Sequence, residues 1–567
     1  MRGFKKECIL GPLFKLLEAT FELFVPLVVA NIVDEGISSG DVNYIVKMCL
    51  VMVLVGVIGL ACAVTAQYFA AGAATGFATR VRHATMRHIL GLSYTQVDRL
   101  GVSTLVTRMT SDINQIQNGV NLTLRLLLRS PFVVFGAMIM AFTIDVDAAL
   151  IFTVLIPALC VVVFGIMLVT MPMFRRVQSG LDQVTSATRQ NLSGVRVLRA
   201  FCKEDAQVES FREDTEELTR RQLSAGRISA LMNPLTFVMV NLAVVLLIRV
   251  GALKVDGGVL TQGLVIALYN YMSQILVELI KMANLIISMT KAAACANRVA
   301  SLLEIPEDQE NGAETCLPDT SVEFRNVTAK YQGAGAPALE DISFRAEPGE
   351  IIGLIGGTGS GKSTLVNLIP RLYDAVSGEI RIGGREIHSL DMNHLRSLVG
   401  MVPQKTMLFK GTIRENLLWG RQEATDDDLW RALETAQARE VVKAREGELD
   451  APVEQGGVNF SGGQRQRLTI ARALVREPGI LILDDSASAL DYATDANLRK
   501  AIRSMPNPPT TFIVSQRAAS VRYASQILVL DDGRLVGKGT HEELLAHCPV
   551  YQEIYYSQFP REVTDHA

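Results

Sequence analysis

Long apolar runs fill roughly the first 300 positions and then stop. Six of them approach the roughly 20 residues that carry a helix across a bilayer. They fall at about 8–33, 44–74, 114–144, 148–173, 229–252 and 261–289. The polar segments between them are of two kinds. "DEGISSGDVN", "DVD" and "KVDGG" are short and poor in Lys and Arg, whereas 80–108 and 175–227 are long and rich in Arg. By the positive-inside rule the two long segments are cytoplasmic, and six spans then leave both termini inside. "LDQVTSATRQNLSGVRVLRAFCKEDAQVESFREDTEEL" holds few breakers over many turns. Its periodicity predicts helices that continue well beyond the membrane.

The pattern changes near residue 305. "PEDQENGAETCLPDT", 306–320, is polar with Pro and Gly and reads as a linker. From 321 onward short apolar runs such as "GEIIGLIG", "LVGMVPQ", "ILILDD" and "TTFIVSQ" alternate with helical stretches, the mark of an α/β domain. The expected chain is multi-domain. An all-α six-helix transmembrane domain (1–305) and a linker (306–320) precede an α/β nucleotide-binding domain (321–567).

Composition agrees with a half-membrane, half-soluble protein. Of 567 residues 49% are hydrophobic and 20% charged, and the mean hydropathy is +0.26. The formal net charge of −3 offers no electrostatic case for nucleic acid. Eight scattered cysteines form no C-x-x-C pair and read as reduced, structural thiols. The first apolar run carries Lys15, Glu18 and Glu22 and lacks a small-residue cleavage site, so it reads as a span and not a signal peptide.

"GLIGGTGSGKSTL" contains G-x-x-x-x-G-K-S at 356–363, after a predicted strand at 351–355 and at the start of a predicted helix near Lys362. That context marks a P-loop. Gly356, Gly357, Thr358, Gly359, Ser360 and Gly361 let backbone N–H groups approach phosphate oxygens, aided by the helix N-terminus. Lys362 reaches the outer phosphates, and Ser363, with Thr364 beside it, faces the magnesium ion. The strand "ILILD" ends in Asp484, the place for a magnesium-binding acid. Tyr331 offers an aromatic face for a base, or is an ordinary packed strand residue.

With "NFSGGQRQRLTIARAL" at 459–474, these motifs resemble an ABC transporter, and the six preceding spans make the resemblance that of an exporter half-transporter. It covers essentially the whole chain. It implies ATP and Mg2+ as ligands, with Tyr331 stacking on adenine and Gln404 as the Q-loop residue beside magnesium. Phe460, Ser461, Gly462, Gly463 and Gln464 match the signature, and Ser488 to Asp491 the D-loop. The signature is a second phosphate clamp, made of small residues at a helix N-terminus. In the family it closes on ATP held by another nucleotide-binding domain, so two chains must meet head to tail. The resemblance also places short coupling helices near 90–105 and 203–215.

Two positions depart from the family pattern. Asp485 stands where the family carries a catalytic Glu, and the lost methylene draws the carboxylate back by roughly 1.5 Å. Gln516 in "FIVSQRAAS" stands where the family has His. Gln can donate a hydrogen bond but cannot carry a proton charge. Together they predict a degenerate ATP site in a heterodimer, whose partner half-transporter supplies the competent Glu and His. The expected cargo is a drug or another small lipophilic compound, moved across the cytoplasmic membrane in contact with its lipid. Two alternatives stand beside this: a slow homodimeric exporter of lipid or peptide, and an ATP-gated membrane regulator that transports nothing.

Charges inside the spans add a further expectation. Lys15, Glu18 and Glu22 share one helix face and are either a cation or proton site or a self-satisfied cluster. Glu278 and Lys281 read as a pair, and Arg125 and Arg129 as snorkelling to the inner face. Only about seven residues precede the first span, too few for the family's usual elbow helix. No N-terminal peptidase domain precedes it either, which argues against an exporter that trims a peptide cargo.

Overall fold

The structure is a computed structural model that describes residues 3–307, 309, 311–331, 333–486 and 489–559. By its contacts the chain divides into two compact units. The first comprises Met1–Leu90 and Ser103–Ile305, and the second Gly91–Val102 and Pro306–Ala567.

The first unit contains six helical segments long and apolar enough to cross a membrane: Lys5–Ile37, Val42–Gly91, Val102–Ile144, Val146–Ser193, Glu204–Asp256 and Gln262–Leu303. Each overlaps one of the six apolar runs. Each is also longer than its run, because the polar flanks carry helical periodicity; Val42–Gly91 alone has 50 residues. Small residues let the helices approach closely. Ala19, Ala30, Ala137, Ala141, Ala148 and Ala267 are all fully buried. Around them Phe152, Leu247, Leu268 and Met272 fill the core, and Tyr271 donates a 2.6 Å hydrogen bond to the carbonyl of Leu23. Asp145 caps Val146–Ser193 and, with Asp147, receives Lys254 at 2.6 Å. Elsewhere the surface is strongly apolar. Val46, Leu50, Leu54 and Val57 are exposed, which suits lipid or a partner chain and not water.

Arg129 does not snorkel. It lies inside the bundle with its side chain 7% exposed, bonded to Glu278 and to Glu22 at 2.5 Å each. Glu278 is 3% exposed and also accepts from Ser130 and Lys281, each at 2.8 Å. Lys15 pairs with Glu18, and Glu22, 40% exposed, pairs with Arg129 and lines a cavity with Glu278 and Lys281.

The second unit is built on two sheets. A six-stranded sheet runs Arg534–Gly539, Gln526–Asp531, Ile351–Gly356, Thr510–Val514, Ile480–Asp484 and Val399–Val402, parallel except at the Arg534–Gly539 edge. Its central strands are buried along their whole length and mostly apolar because both faces are covered. Ile480, Ile482, Phe512 and Val514 pack with Phe324 and Phe344 of a four-stranded antiparallel sheet. Leu481, Leu483 and Ile513 point the other way, into a core shared with Leu468, Leu474 and other helical residues, as the two-residue strand period requires. The short helix Tyr94–Leu100 also belongs to this unit. The Oη of Tyr373 donates to Asp98 at 2.6 Å, and the rings of Tyr94 and Tyr373 lie 6.2 Å apart. The stretch 203–215 instead forms the start of Glu204–Ala230 in the first unit.

Candidate nucleotide site

Sheet order creates the site. Strand Thr510–Val514 pairs with Ile351–Gly356 on one side and Ile480–Asp484 on the other, with Leu354, Val514 and Asp484 in register. The carboxyl ends of three parallel strands therefore open side by side, the usual place for a ligand in an α/β sheet. A cavity of 310 Å3 lies there, lined among others by Tyr331, Thr358, Gly359, Lys362, Ser363, Gln404, Asp484, Asp485 and Gln516.

The P-loop needs glycine where the chain turns into helix Lys362–Leu368. Gly361 has φ 93°, and a Cβ there would lie 2.6 Å from the carbonyl oxygen of Ala338. At Gly356 the constraint is close approach, with a Cβ running into the carbonyl of Leu530. Lys362 folds back over the loop and donates to the carbonyls of Gly356 (3.0 Å) and Gly357 (2.5 Å) and to Ser360 Oγ (3.1 Å). Burial pushes its ammonium below the usual lysine value, while Asp485 and Asp484 pull the other way. A phosphate would supply the full negative charge that the carbonyls lack.

Ser363 Oγ donates to Asp484 Oδ1 at 2.9 Å. Burial, reinforced by the charge of Asp485, pushes the Asp484 carboxyl up, against the hydrogen bond from Ser363 and the charge of Lys362. A hydroxyl and a buried carboxylate converging at hydrogen-bond distance, all oxygen donors, suit Mg2+, which keeps waters and takes few protein ligands. Asp485 adopts φ 48°, a left-handed conformation that Asp tolerates better than most residues. Its carboxyl is also raised by burial, opposed by a hydrogen bond from Gln404 and by the charges of Arg517 and Lys362. Gln404 thus touches Asp485, and Gln516 stands exposed at the rim with its carbonyl held by Gln558 Nε2 at 2.8 Å.

Tyr331 bonds Thr364 Oγ1 through its hydroxyl at 3.0 Å and meets the Tyr373 ring edge-on at 5.2 Å. The signature lies elsewhere, and none of residues 460–464 lines the cavity. Ser461 and Gln464 form a capping box at the start of Gly462–Val475, so the first N–H groups of that helix are presented in a fixed frame. Phe460 is buried under the guanidinium of Arg445, 4.5 Å from its ring. Asp491 caps Tyr492–Arg503 and accepts from Thr494 N and Oγ1 at 2.8 Å. Ser488 lies outside the described residues. Sequence reasoning missed Arg517, whose charge acts on Asp485 and whose Nη1 donates to Leu490 O at 3.2 Å. Its position directly after Gln516 was the available signal.

Comparison with known proteins agrees with this geometry. The ABC transporter transmembrane region family matches residues 8–279, and the ABC transporter family matches 339–488. An uncharacterized ABC transporter ATP-binding protein of Mycobacterium tuberculosis is 38% identical over 565 residues, 98% of this chain and 97% of that protein. An ATP-dependent lipid A-core flippase of Desulfotalea psychrophila is 33% identical over 464 residues, 80% of each chain. The solved structure of a bacterial Atm1-family ABC exporter with ATP bound has the same fold, with a TM-score of 0.82 over 100% of both chains at 21% identity. The chain is a multi-pass membrane protein with an ABC ATPase domain, and it belongs to the ABC transporter family.

Proposed function

We propose that this chain is the degenerate-site half of a heterodimeric ABC exporter that moves lipophilic compounds across the cytoplasmic membrane. The ATPase unit and both termini face the cytoplasm, in keeping with the basic 80–108 and 175–227 segments. One observation carries the reading: Asp485 and Gln516, the two departures from the family pattern, line the same cavity as an otherwise intact phosphate and magnesium set. Lys362 and the P-loop N–H groups hold the phosphates, and Tyr331 supplies the face for adenine. When bound, Mg2+ on Ser363 and Asp484 neutralises phosphate charge. Asp485 carries a shortened and raised carboxyl, tied to Gln404. The raised value would favour proton uptake, but the shorter side chain, held by Gln404, reaches less far toward an attacking water, and Gln516 brings no proton. Loss of general-base help costs about 10²–10⁴ in rate.

That the signature lines no part of this cavity supports a second chain supplying one. The partner's site receives Phe460, Ser461, Gly462, Gly463 and Gln464 of this chain together with its own Glu and His. ATP in the degenerate site then persists through several turnovers. The test is co-expression with the neighbouring half-transporter, followed by ATPase and vesicle-uptake assays. Asp485→Glu with Gln516→His raises turnover, and loss of the partner's catalytic Glu nearly abolishes it. Ordinary exporter rates from this chain alone would refute the reading.

A second reading, a slow homodimeric lipid exporter, draws support from the similarity to a lipid A-core flippase. It predicts that the purified chain alone is dimeric and slowly flips lipid.

A further inference from the structure

The membrane unit holds a second cavity whose chemistry differs from anything in the nucleotide site. It measures 650 Å3, within the range of sites that take drug-sized ligands. Its walls come from the later turns of Val146–Ser193 and of Gln262–Leu303, with residues near Met232 closing one side. Met167, Met171, Phe174 and Ile287 give it an apolar body. Arg175 and Lys291 are its two charged residues, and no Asp or Glu lines it.

Among the described residues both cations lack an acid partner. Arg175 Nη2 makes only a long contact, 3.9 Å, with Met171 Sδ. Among the described residues neither Arg175 nor Lys291 forms an ion pair, whereas Lys15, Arg129, Lys254 and Lys281 do. The ordering along the helices is equally specific. Met167 precedes Arg175 by eight residues, about 12 Å of helix at 1.5 Å per residue, and Ile287 precedes Lys291 by one turn. On the inward course of both helices the apolar wall comes first and the cations follow at the cytoplasmic end. Methionine side chains re-pack around flexible shapes, and Arg offers a fork for a carboxylate or phosphate.

We propose that this cleft binds an amphipathic anion drawn from the inner leaflet. An acyl chain lies along Met167, Met171 and Ile287, and a carboxylate or phosphate head sits between Arg175 and Lys291. The inference deepens the exporter reading by naming a cargo class, and it rests on that reading only for the step of transport.

The test uses the full chain in nanodiscs of uncharged-net phosphatidylcholine, with cis-parinaric acid as a fluorescent probe and its methyl ester as the neutral control. The acid binds saturably and at least tenfold tighter than the ester, and dodecyl phosphate displaces it. Arg175→Gln with Lys291→Gln weakens acid binding at least tenfold and leaves ester binding and ATP binding unchanged. Equal binding of acid and ester, or an acid affinity indifferent to the double substitution, overturns the proposal. So does a double substitution that changes only the oligomeric state, which would make the cleft a seat for a second copy. Saturable, charge-dependent binding without ATP-driven uptake would instead sink the exporter reading and leave this site standing.

Discussion

Replacing Arg129 by Met should destabilise the membrane unit, and the structure sets the size. Arg129 joins three helices: its own, Arg129–Ile144, then Lys5–Asn31 through Glu22 and Gln262–Leu303 through Glu278. Glu22 is 40% exposed, so it loses little when its partner goes. Glu278 is 3% exposed and has no such escape. Removing one member of a buried pair costs about 3–5 kcal/mol, because the other charge is left uncompensated. Glu278 keeps Ser130 and the half-exposed Lys281, which places Arg129→Met near the lower end, about 3 kcal/mol. Arg129→Met with Glu278→Met removes the stranded charge and should return most of that loss, since apolar replacement of a whole buried pair is often neutral. Titration with SDS from mild detergent, followed by far-ultraviolet circular dichroism, reads loss of the membrane helices. Trp419 and Trp430, the two tryptophans, both lie in the ATPase unit, so their fluorescence monitors that unit separately and should not change. An unshifted helix transition in Arg129→Met, or a double variant as unstable as the sum of the singles, would refute this account of the network.

Further outcomes follow from the ATPase unit. Gly361→Ala forces a side chain into a left-handed backbone at φ 93° and against Ala338 O. Equilibrium binding of a fluorescent ATP analogue should be lost, with a stability cost of about 1–3 kcal/mol in the tryptophan-monitored melt. Tyr373→Phe removes the bond to Asp98 and keeps the ring against Tyr331. It should leave ATP affinity within about twofold while costing ~1 kcal/mol, and a tenfold loss of affinity would contradict that separation. Acid pH should weaken magnesium binding before it would in an ordinary carboxylate site. Burial holds the Asp484 carboxyl above its usual 3.8, so the folded pocket binds a proton more tightly than the unfolded chain does. That stabilisation is present at low pH and is lost as pH rises through the raised value, whereas Mg2+ requires the ionised form. The melting increment given by MgATP should therefore be largest near neutrality and fall away on acidification with a midpoint above 3.8. A midpoint at or below that value would count against the burial argument.

What could be read from the chain in advance divides along physical lines. The P-loop was legible because its glycines answer a local demand, the φ of Gly361 and the close approach at Gly356, and a local demand leaves a local spacing. The strand into Asp484 was legible because a strand covered on both faces has to be apolar throughout. Arg129 misled because four-residue spacing from Arg125 looks the same on a helix that snorkels and on one that faces its neighbours. Its partners Glu22 and Glu278 are 107 and 149 residues away, and no periodicity reports such distances. Likewise Tyr373 and Asp98 meet across 275 residues. Pairings of that span are set by how helices and sheets assemble, not by the residues on either side.

The same distinction orders the charges of the membrane unit. A buried ion in an apolar bundle is tolerated when its partner is in place, and the pairs Lys15–Glu18, Arg129–Glu278 and Lys254–Asp145 meet that condition within the fold. Charges that meet it internally contribute to assembly and stability, so their substitution should be read first in unfolding. Arg175 and Lys291 line a largely apolar cavity and, among the described residues, form no ion pair. Lys281 also lines a cavity but is paired with Glu278, so it is the lack of an internal acid that sets Arg175 and Lys291 apart from it. If the proposed anion site is correct, the residues to vary first are therefore these two, since Glu18 and Glu22 already have cationic partners within the fold.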